Sequence, residues 1–400
     1  MIRLLFLLVT LVTSQSSLSQ NIVKGNITDV ESNSPLSSSY IFITELNKGT
    51  IPNEDGSFEF SILGNGTYHI QFSHLGYETK LETITFENEL KEISLNIQLK
   101  KRLVEINEVV VTSSYINLQE NNTYEVEVID KDDIQRNGGF SVMDIINKVP
   151  GVDATTTGPM VNRPVIRGLS SNRVLTVSDG ARFETQQWDD EHGIGINEAG
   201  IDKIEIIKGP ASLLYGSEAM GGVINFIKSK PAPVGTIKGN VMSQMSTNNL
   251  GWRALANVDG ANEKINWGFS GLGKLFSDYF IDNQSFRVPN TRLLEYGAKT
   301  YIGTNKKWGS TNLTYTFNQA FYGILDGKDI VKDANGNIIN TDEEKEKYPF
   351  EIEAPFHSVV DNRLTSSTTL LAGKSKFDII LNYQNNHRAE NEELAGVKKG

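Results

Sequence analysis

The sequence predicts a mainly β protein in three successive parts: a small β-sandwich, an α+β segment, and the first strands of an antiparallel transmembrane β-barrel that stays incomplete. Three observations predict it. Short runs that largely alternate apolar and polar residues recur through residues 22–99, with turn residues between them. A capped helical pattern ending in Pro150-Gly151 then breaks the run of strands. Beyond about residue 235, two-faced segments of roughly ten residues return, separated by long polar stretches, in a chain with no run of ~18 apolar residues that would make a membrane helix.

The first residues read as an export signal. Arg3 gives a positive start, residues 4–12 are apolar, and Ser17-Leu18-Ser19 before Gln20 is a small-x-small cleavage site, so residues 1–19 are expected to be removed. The competing reading is a buried N-terminal strand. With no cysteine anywhere in the 400 residues, a lipoprotein anchor, a disulfide framework and a thiol nucleophile are all excluded. A net charge of −11 without a basic block argues against nucleic acid as a partner, because phosphate binding needs clustered Lys and Arg.

Residues 20–100 read as the sandwich. Alternating segments at 22–28, 40–44, 58–62, 67–73, 80–86 and 92–99 are punctuated by Ser34-Pro35, Asp55-Gly56, Gly64-Asn65-Gly66 and Gly76. His69 and His74 are five apart, so on one strand they face opposite ways and do not share a metal. The segments 53–58 and 74–77 resemble a carboxypeptidase regulatory-like sandwich, which implies a fold and no peptidase. The whole chain lacks HExxH, GxSxG, Walker and GxGxxG patterns, so no enzyme is expected.

Residues 101–121 read as a connector. Inside it, Glu105, Ile106, Asn107, Glu108, Val109, Val110, Val111 and Thr112 form a β-branched run preceded by acidic residues. Its natural state is extended, with backbone edges open until a partner fills them. Alternatively, Val109 to Val111 complete the sandwich's last strand.

Residues 122–230 mix strands (124–129, 164–166, 173–178, 201–208 and 222–227) with a helix over 141–148. Ser141 caps that helix, and Val142, Ile145 and Ile146 share its buried face. From 231 to 400, Ile265, Trp267 and Phe269, then Leu313, Tyr315 and Phe317, then Phe377, Ile379, Leu381 and Tyr383 each line one face of a strand. A soluble sandwich alternates in the same way. The export signal and the preceding segment favour the membrane.

Motifs in residues 122–230 resemble the plug of TonB-dependent outer-membrane receptors. They are Asn147 to Val152, Pro164-Val165-Ile166-Arg167-Gly168-Leu169 with Asp179-Gly180, and the stretch from Ile201 to Asn225 that contains Glu205, Gly209, Pro210, Tyr215, Gly216, Gly221 and Gly222. They stand in the family's order across about 110 residues. The resemblance implies an outer-membrane location with the sandwich in the periplasm, and membrane lipid around the barrel. It also implies that residues 105–112 are a TonB box, to which the periplasmic energy-transducing TonB protein adds a strand. Arg167 and Glu205 are expected near the plug–barrel boundary, either as an ion pair or as two solvated charges.

In that family the plug's apical loops help form the ligand site. Here the matching candidates are Arg182, Glu184, Gln186, Trp188, Asp190, Glu191 and His192. Asp190, Glu191 and His192 have the donor types to ligate a transition metal. The loop can equally hold a metal chelate such as a siderophore or haem, with Trp188 stacking on it, or simply be solvated. No cofactor is required; a metal or chelate enters only as cargo. An oligosaccharide importer of the same family and a surface adhesin are the alternatives, and the Lys208-Gly209-Pro210-Ala211 form favours chelate and cofactor receptors. Asp333-Ala334-Asn335-Gly336-Asn337 resembles the start of a calcium loop, but Ile338 holds the position that needs glycine. A barrel enclosing a plug needs about 22 strands, whereas residues 235–400 supply about seven or eight, so further sequence is expected.

Overall fold

The computed structural model describes residues 21–62, 64–87, 92–101, 109–112, 115–118, 126–156, 158, 160–184, 193, 195–209, 212, 215–280, 287–306, 308–325, 331–332, 338–339, 350–372 and 375–392. The export signal, residues 105–108, Gln186, Trp188, Asp190, Glu191, His192, Pro210 and the Asp333 to Asn337 turn lie outside the described residues.

The first part is a two-sheet sandwich. Its strands are β1 (Asn21–Asp29), β2 (Tyr40–Ile43), β3 (Lys48–Thr50), β4 (Ser57–Ile62), β5 (Gly66–Ser73), β6 (Lys80–Phe86) and β7 (Glu92–Leu99). The sheets run β4-β1-β7 and β3-β2-β5-β6, and β1 pairs with β7 in parallel. Between them Val23, Ile27, Ile41, Phe58, Ile70 and Phe72 are buried, with the Phe58 and Phe72 rings 5.6 Å apart. Strand β3 was not foreseen, because three residues carry too little alternation to register. His69 and His74 part company as expected: His69 Nδ1 lies 2.7 Å from Glu45, and His74 Nδ1 lies 3.1 Å from Ser39 Oγ.

The end of β1 is held by Asp29. Its carboxylate accepts the Ser32 amide at 2.7 Å, the Glu31 amide at 2.8 Å and the Tyr77 hydroxyl at 2.7 Å. The Ser32 amide, followed by the Tyr77 hydroxyl, holds this carboxyl well below the usual carboxylate range. A depressed folded-state pKa means that the group stabilises the fold above its unfolded value, near about 4, and that this contribution fades as pH falls through the folded value. Asp29→Asn is therefore expected to speed hydrogen exchange at the Val30 amide, which donates to Leu99 O, more at pH 7 than at pH 2. An exchange difference that persists undiminished into acid would contradict this assignment.

After the sandwich, β8 (Val109–Thr112) and β9 (Tyr115–Leu118) form a hairpin with Val109 opposite Leu118 and Thr112 opposite Tyr115. This corrects the expectation of open edges on both sides of the valine run: its own chain fills one edge. The run does not join a sheet of the sandwich.

The second part contains β10 (Val126–Asp130), α1 (Lys131–Asn137), α2 (Met143–Ile146), β11 (Val152–Thr156), β12 (Asn162–Ile166), β13 (Val174–Ser178), β14 (Ala181–Arg182), β15 (Ile201–Lys208) and β16 (Gly222–Lys228). A five-stranded sheet runs β10-β15-β16-β13-β14, while β11 and β12 pair separately. Ile145, Ile146, Val152, Ile166, Ile204, Ile206, Ile224 and Phe226 make its core. The helix expected over 141–148 shrinks to α2, with the Ser141 hydroxyl accepting the Met143 amide at 2.9 Å. Helix α1 was missed because Ile134 is its only buried residue. Its cap was nevertheless readable, since Asp130 accepts the Asp133 amide at 2.8 Å. Gly222 is required by close approach, because a Cβ there would sit 2.7 Å from Ile207 O.

The third part is one antiparallel sheet of β17 (Ile237–Ser246), β18 (Gly251–Ala261), β19 (Ile265–Phe276), β20 (Leu293–Lys306), β21 (Gly309–Gly323), β24 (Phe356–Ala372) and β25 (Ser375–Asn391), in that order. A two-residue pair, β22 (Val331–Lys332) with β23 (Ile338–Ile339), lies within the longest connection. The sheet is not closed, as expected from the strand count. Side chains alternate: Phe269, Ile302, Leu313, Tyr315, Leu364, Leu381 and Tyr383 are exposed on one face, while Arg253, Lys274, Glu295, Lys299, Asn312, Asn318 and Asp361 are buried on the other. The connections alternate too. The connections at 262–264, 307–308 and 373–374 are two or three residues long at one end, whereas at the other 247–250 is short and 277–292 and 324–355 are long. No helix of the described residues is long and apolar enough to cross a membrane.

Candidate functional site: the seat of the α+β segment on the strand wall

The α+β segment lies against the polar face of the strand wall through buried ionic contacts and an apolar patch in which Phe140, Met160 and Val161 pack on Phe276, Leu293 and Tyr322. Glu198, in the loop before β15, reaches Lys274 on β19 at 2.9 Å and Arg253 on β18 at 3.7 Å. Lys274 also meets Glu295 on β20 at 3.1 Å. All four side chains are buried. Burial alone would raise the Glu198 carboxyl, but the Lys274 and Arg253 cations outweigh it and hold the group below its ordinary range. The same two cations bind backbone. Arg253 donates to Ile134 O at 3.3 Å and Gln135 O at 3.1 Å, in the last turn of α1, where free carbonyls favour a positive charge. Lys274 donates to Phe140 O at 3.2 Å. Gly138 makes room, since a Cβ there would fall 2.1 Å from the Arg253 guanidinium carbon.

A second cluster lies at Asp179, in the quoted Asp179-Gly180 turn. Its buried carboxylate receives Lys299 of β20 at 2.8 Å. Burial raises this carboxyl, and Lys299, Lys228 and Arg363 more than offset that and lower it. Between the two clusters, the Asn197 side-chain amide donates to Asn318 at 2.7 Å.

The candidate apex is partly visible. Arg182 pairs with Glu184 at 3.2 Å and, more closely, with Glu218. The Glu184 amide donates to Gln384 of β25 at 3.3 Å, and Arg363 stacks 4.7 Å over the Phe183 ring. Gln186, Trp188, Asp190, Glu191 and His192 lie outside the described residues; among those described, no three His, Asp or Glu side chains gather as a metal cage.

The Arg167–Glu205 pair is corrected. Glu205 is buried and bonds to Lys203 at 2.8 Å, on the same face of β15. Arg167 is exposed at a positive φ of 54°, its guanidinium beside Gly209. The charges that bridge segment and wall are Glu198 and Asp179 instead. Nothing in the local sequence marks Glu198 as a bridging residue, because its partners lie 55 or more positions away, and Asp179 reads there only as part of a turn.

Residues 119–223 match the family model of the TonB-dependent receptor plug domain. That segment is a TonB-dependent receptor plug domain. The segment on the wall is thus the plug, the open sheet is barrel wall, and the receptor resides in the outer membrane. Residues 23–111 match the CarboxypepD_reg-like domain. The receptor is 36% identical over 129 residues to the iron-regulated outer membrane virulence protein of Vibrio cholerae, covering 30% of this chain and 20% of that one. It is 29% identical over 214 residues to the vitamin B12 transporter BtuB of Vibrio vulnificus, covering 51% and 31%. The ferric yersiniabactin uptake receptor FyuA from Yersinia pestis shares the fold, with a TM-score of 0.53 at 16% identity over 68% of this chain and 42% of that one. The chain therefore spans a fifth to under a half of the length of these relatives.

Proposed function

We propose that the complete receptor imports a scarce small ligand across the outer membrane, driven by a periplasmic TonB protein that adds a strand to residues 105–112. The observation that carries this is the seat itself: a compact plug held against the barrel wall by buried ion pairs and hydrogen bonds beside an apolar patch. Such contacts specify one position, and water can replace them when the plug moves. The outward apolar face of the wall would meet lipid, and the short turns would face the periplasm.

The cargo we favour is a metal chelate such as a siderophore, haem or a metal ion. The Lys208-Gly209-Pro210-Ala211 form supports this, as do relatives named for iron regulation and vitamin B12. Residues 182–192 are the proposed contact loop, and no resident cofactor is needed. Binding of ferric siderophores, haem, cobalamin and free divalent metals to the complete receptor tests the reading. One class is expected to bind tightly and to be accumulated only when the transducing protein is present. Accumulation that ignores the transducing protein would refute it.

A further inference from the structure

The sandwich is seated on the short-turn rim of the wall. The Tyr40 hydroxyl donates to Pro231 O at 2.7 Å, and Lys230 donates to Gln71 at 2.7 Å. The Val234 amide donates to Gly49 O at 2.8 Å, so the plug–wall connector runs alongside β3. Lys48 pairs with Glu263 in the first tight turn at 2.7 Å, and Ser310, beside the second, donates to Glu45 O at 3.0 Å. Leu371, beside the third, packs on the sandwich core. The fit is loose, with a cleft of about 420 Å³ left between Ile43, Phe60 and Lys48 on one side and Val234, Glu263 and Lys306 on the other. Polar, incompletely packed seats of this kind belong to interfaces that open.

Chain length sets which end of the connector tightens first. Asn107, within the proposed box, is six residue steps from Lys101, where the sandwich ends, and nineteen from Val126, where the plug begins. Fully extended, and with the β8–β9 hairpin opened, these tethers reach about 21 Å and about 67 Å. We infer that the sandwich is a releasable anchor which takes the load first: a pull on residues 105–112 must lift it off the rim before force reaches the plug at β10. This rests on the box reading above, and it assigns the sandwich a mechanical role, as the device that sets when the plug is pulled.

The test is single-molecule pulling on the complete receptor in a bilayer, with the handle at Asn107→Cys and the barrel held. Two ruptures are expected, the first at short extension. Tyr40→Phe combined with Lys48→Ala should lower the force of the first and leave the second unchanged. Val128→Gly, in the middle of β10, should weaken only the second. If the first rupture responds to Val128→Gly, or if no rupture responds to the Tyr40/Lys48 pair, the inference is overturned. The box reading stands or falls separately, on whether the periplasmic domain of the transducing protein binds a peptide of residues 105–112.

Discussion

Lys274→Met is expected to unseat the plug. The substitution keeps the aliphatic volume and deletes the cation that Glu198 and Glu295 share at 2.9 and 3.1 Å. Two buried carboxylates are then left without their common partner, and the Phe140 carbonyl loses its donor. Breaking a buried ion pair from one side typically costs about 3–5 kcal/mol, because the remaining charge stays desolvated. Faster proteolysis of the plug and a lower unfolding midpoint in the complete receptor would report the loss. Adding Glu198→Gln to Lys274→Met should recover part of it, since one stranded charge is neutralised and the two sites are coupled. A Lys274→Met plug as resistant as the parent would remove this cluster from any role in the seat. The Glu198 carboxyl is held below its ordinary value, so its contribution is full above about 4.3 and declines as pH falls through the folded value. Acid should loosen the parent seat and narrow its difference from the variant.

Deleting residues 105–112 is expected to reduce energised uptake to the level of cells without the transducing protein, while surface binding of a ferric siderophore, haem or cobalamin stays unchanged. The argument is one of backbone chemistry. A strand partner grips through main-chain hydrogen bonds, which single side-chain changes leave largely intact, so removal of the segment is the decisive change. The β8–β9 hairpin refines the expectation. Because β9 already fills one edge of Val109–Thr112, an incoming strand must take the other edge or displace β9. Pro substituted at Val110 removes one backbone donor and should lower uptake less than the deletion does. Uptake that survives the deletion would show that the transducing protein engages elsewhere.

The sequence revealed the fold more fully than the site. The wall was legible because each strand repeats its own two-residue period: Leu313 and Tyr315, and Phe377, Ile379 and Leu381, face outward as their alternation required. The plug was legible through motifs that fix backbone, such as Asp179-Gly180, where both residues take positive φ. Helix α1 escaped because a helix with one buried residue has no periodicity. The seat escaped for a different reason. Glu198, Arg253, Lys274 and Glu295 span nearly a hundred positions, and each alone resembles a charge in a polar stretch. Only the register of β18 on β19 and of β19 on β20 brings them together. The Arg167–Glu205 expectation failed similarly: opposite charges within one domain were paired by sign, while the fold set Glu205 beside Lys203 on one strand face.

The buried face of the wall bears on what would follow a shift of the plug. Asn312, Thr314, Thr316 and Asn318 on β21, with Lys299 on β20 and Asp361 and Thr365 on β24, are groups that bulk solvent can satisfy at once. In the proposed mechanism, uncovering this surface wets a hydrophilic lining except where Phe276, Leu293 and Tyr322 cover Val161, so hydrophobic recapture opposes the displaced state only there. If the plug moves as proposed, the wall it uncovers is lined largely by groups that water can solvate, and the lining itself tolerates the departure.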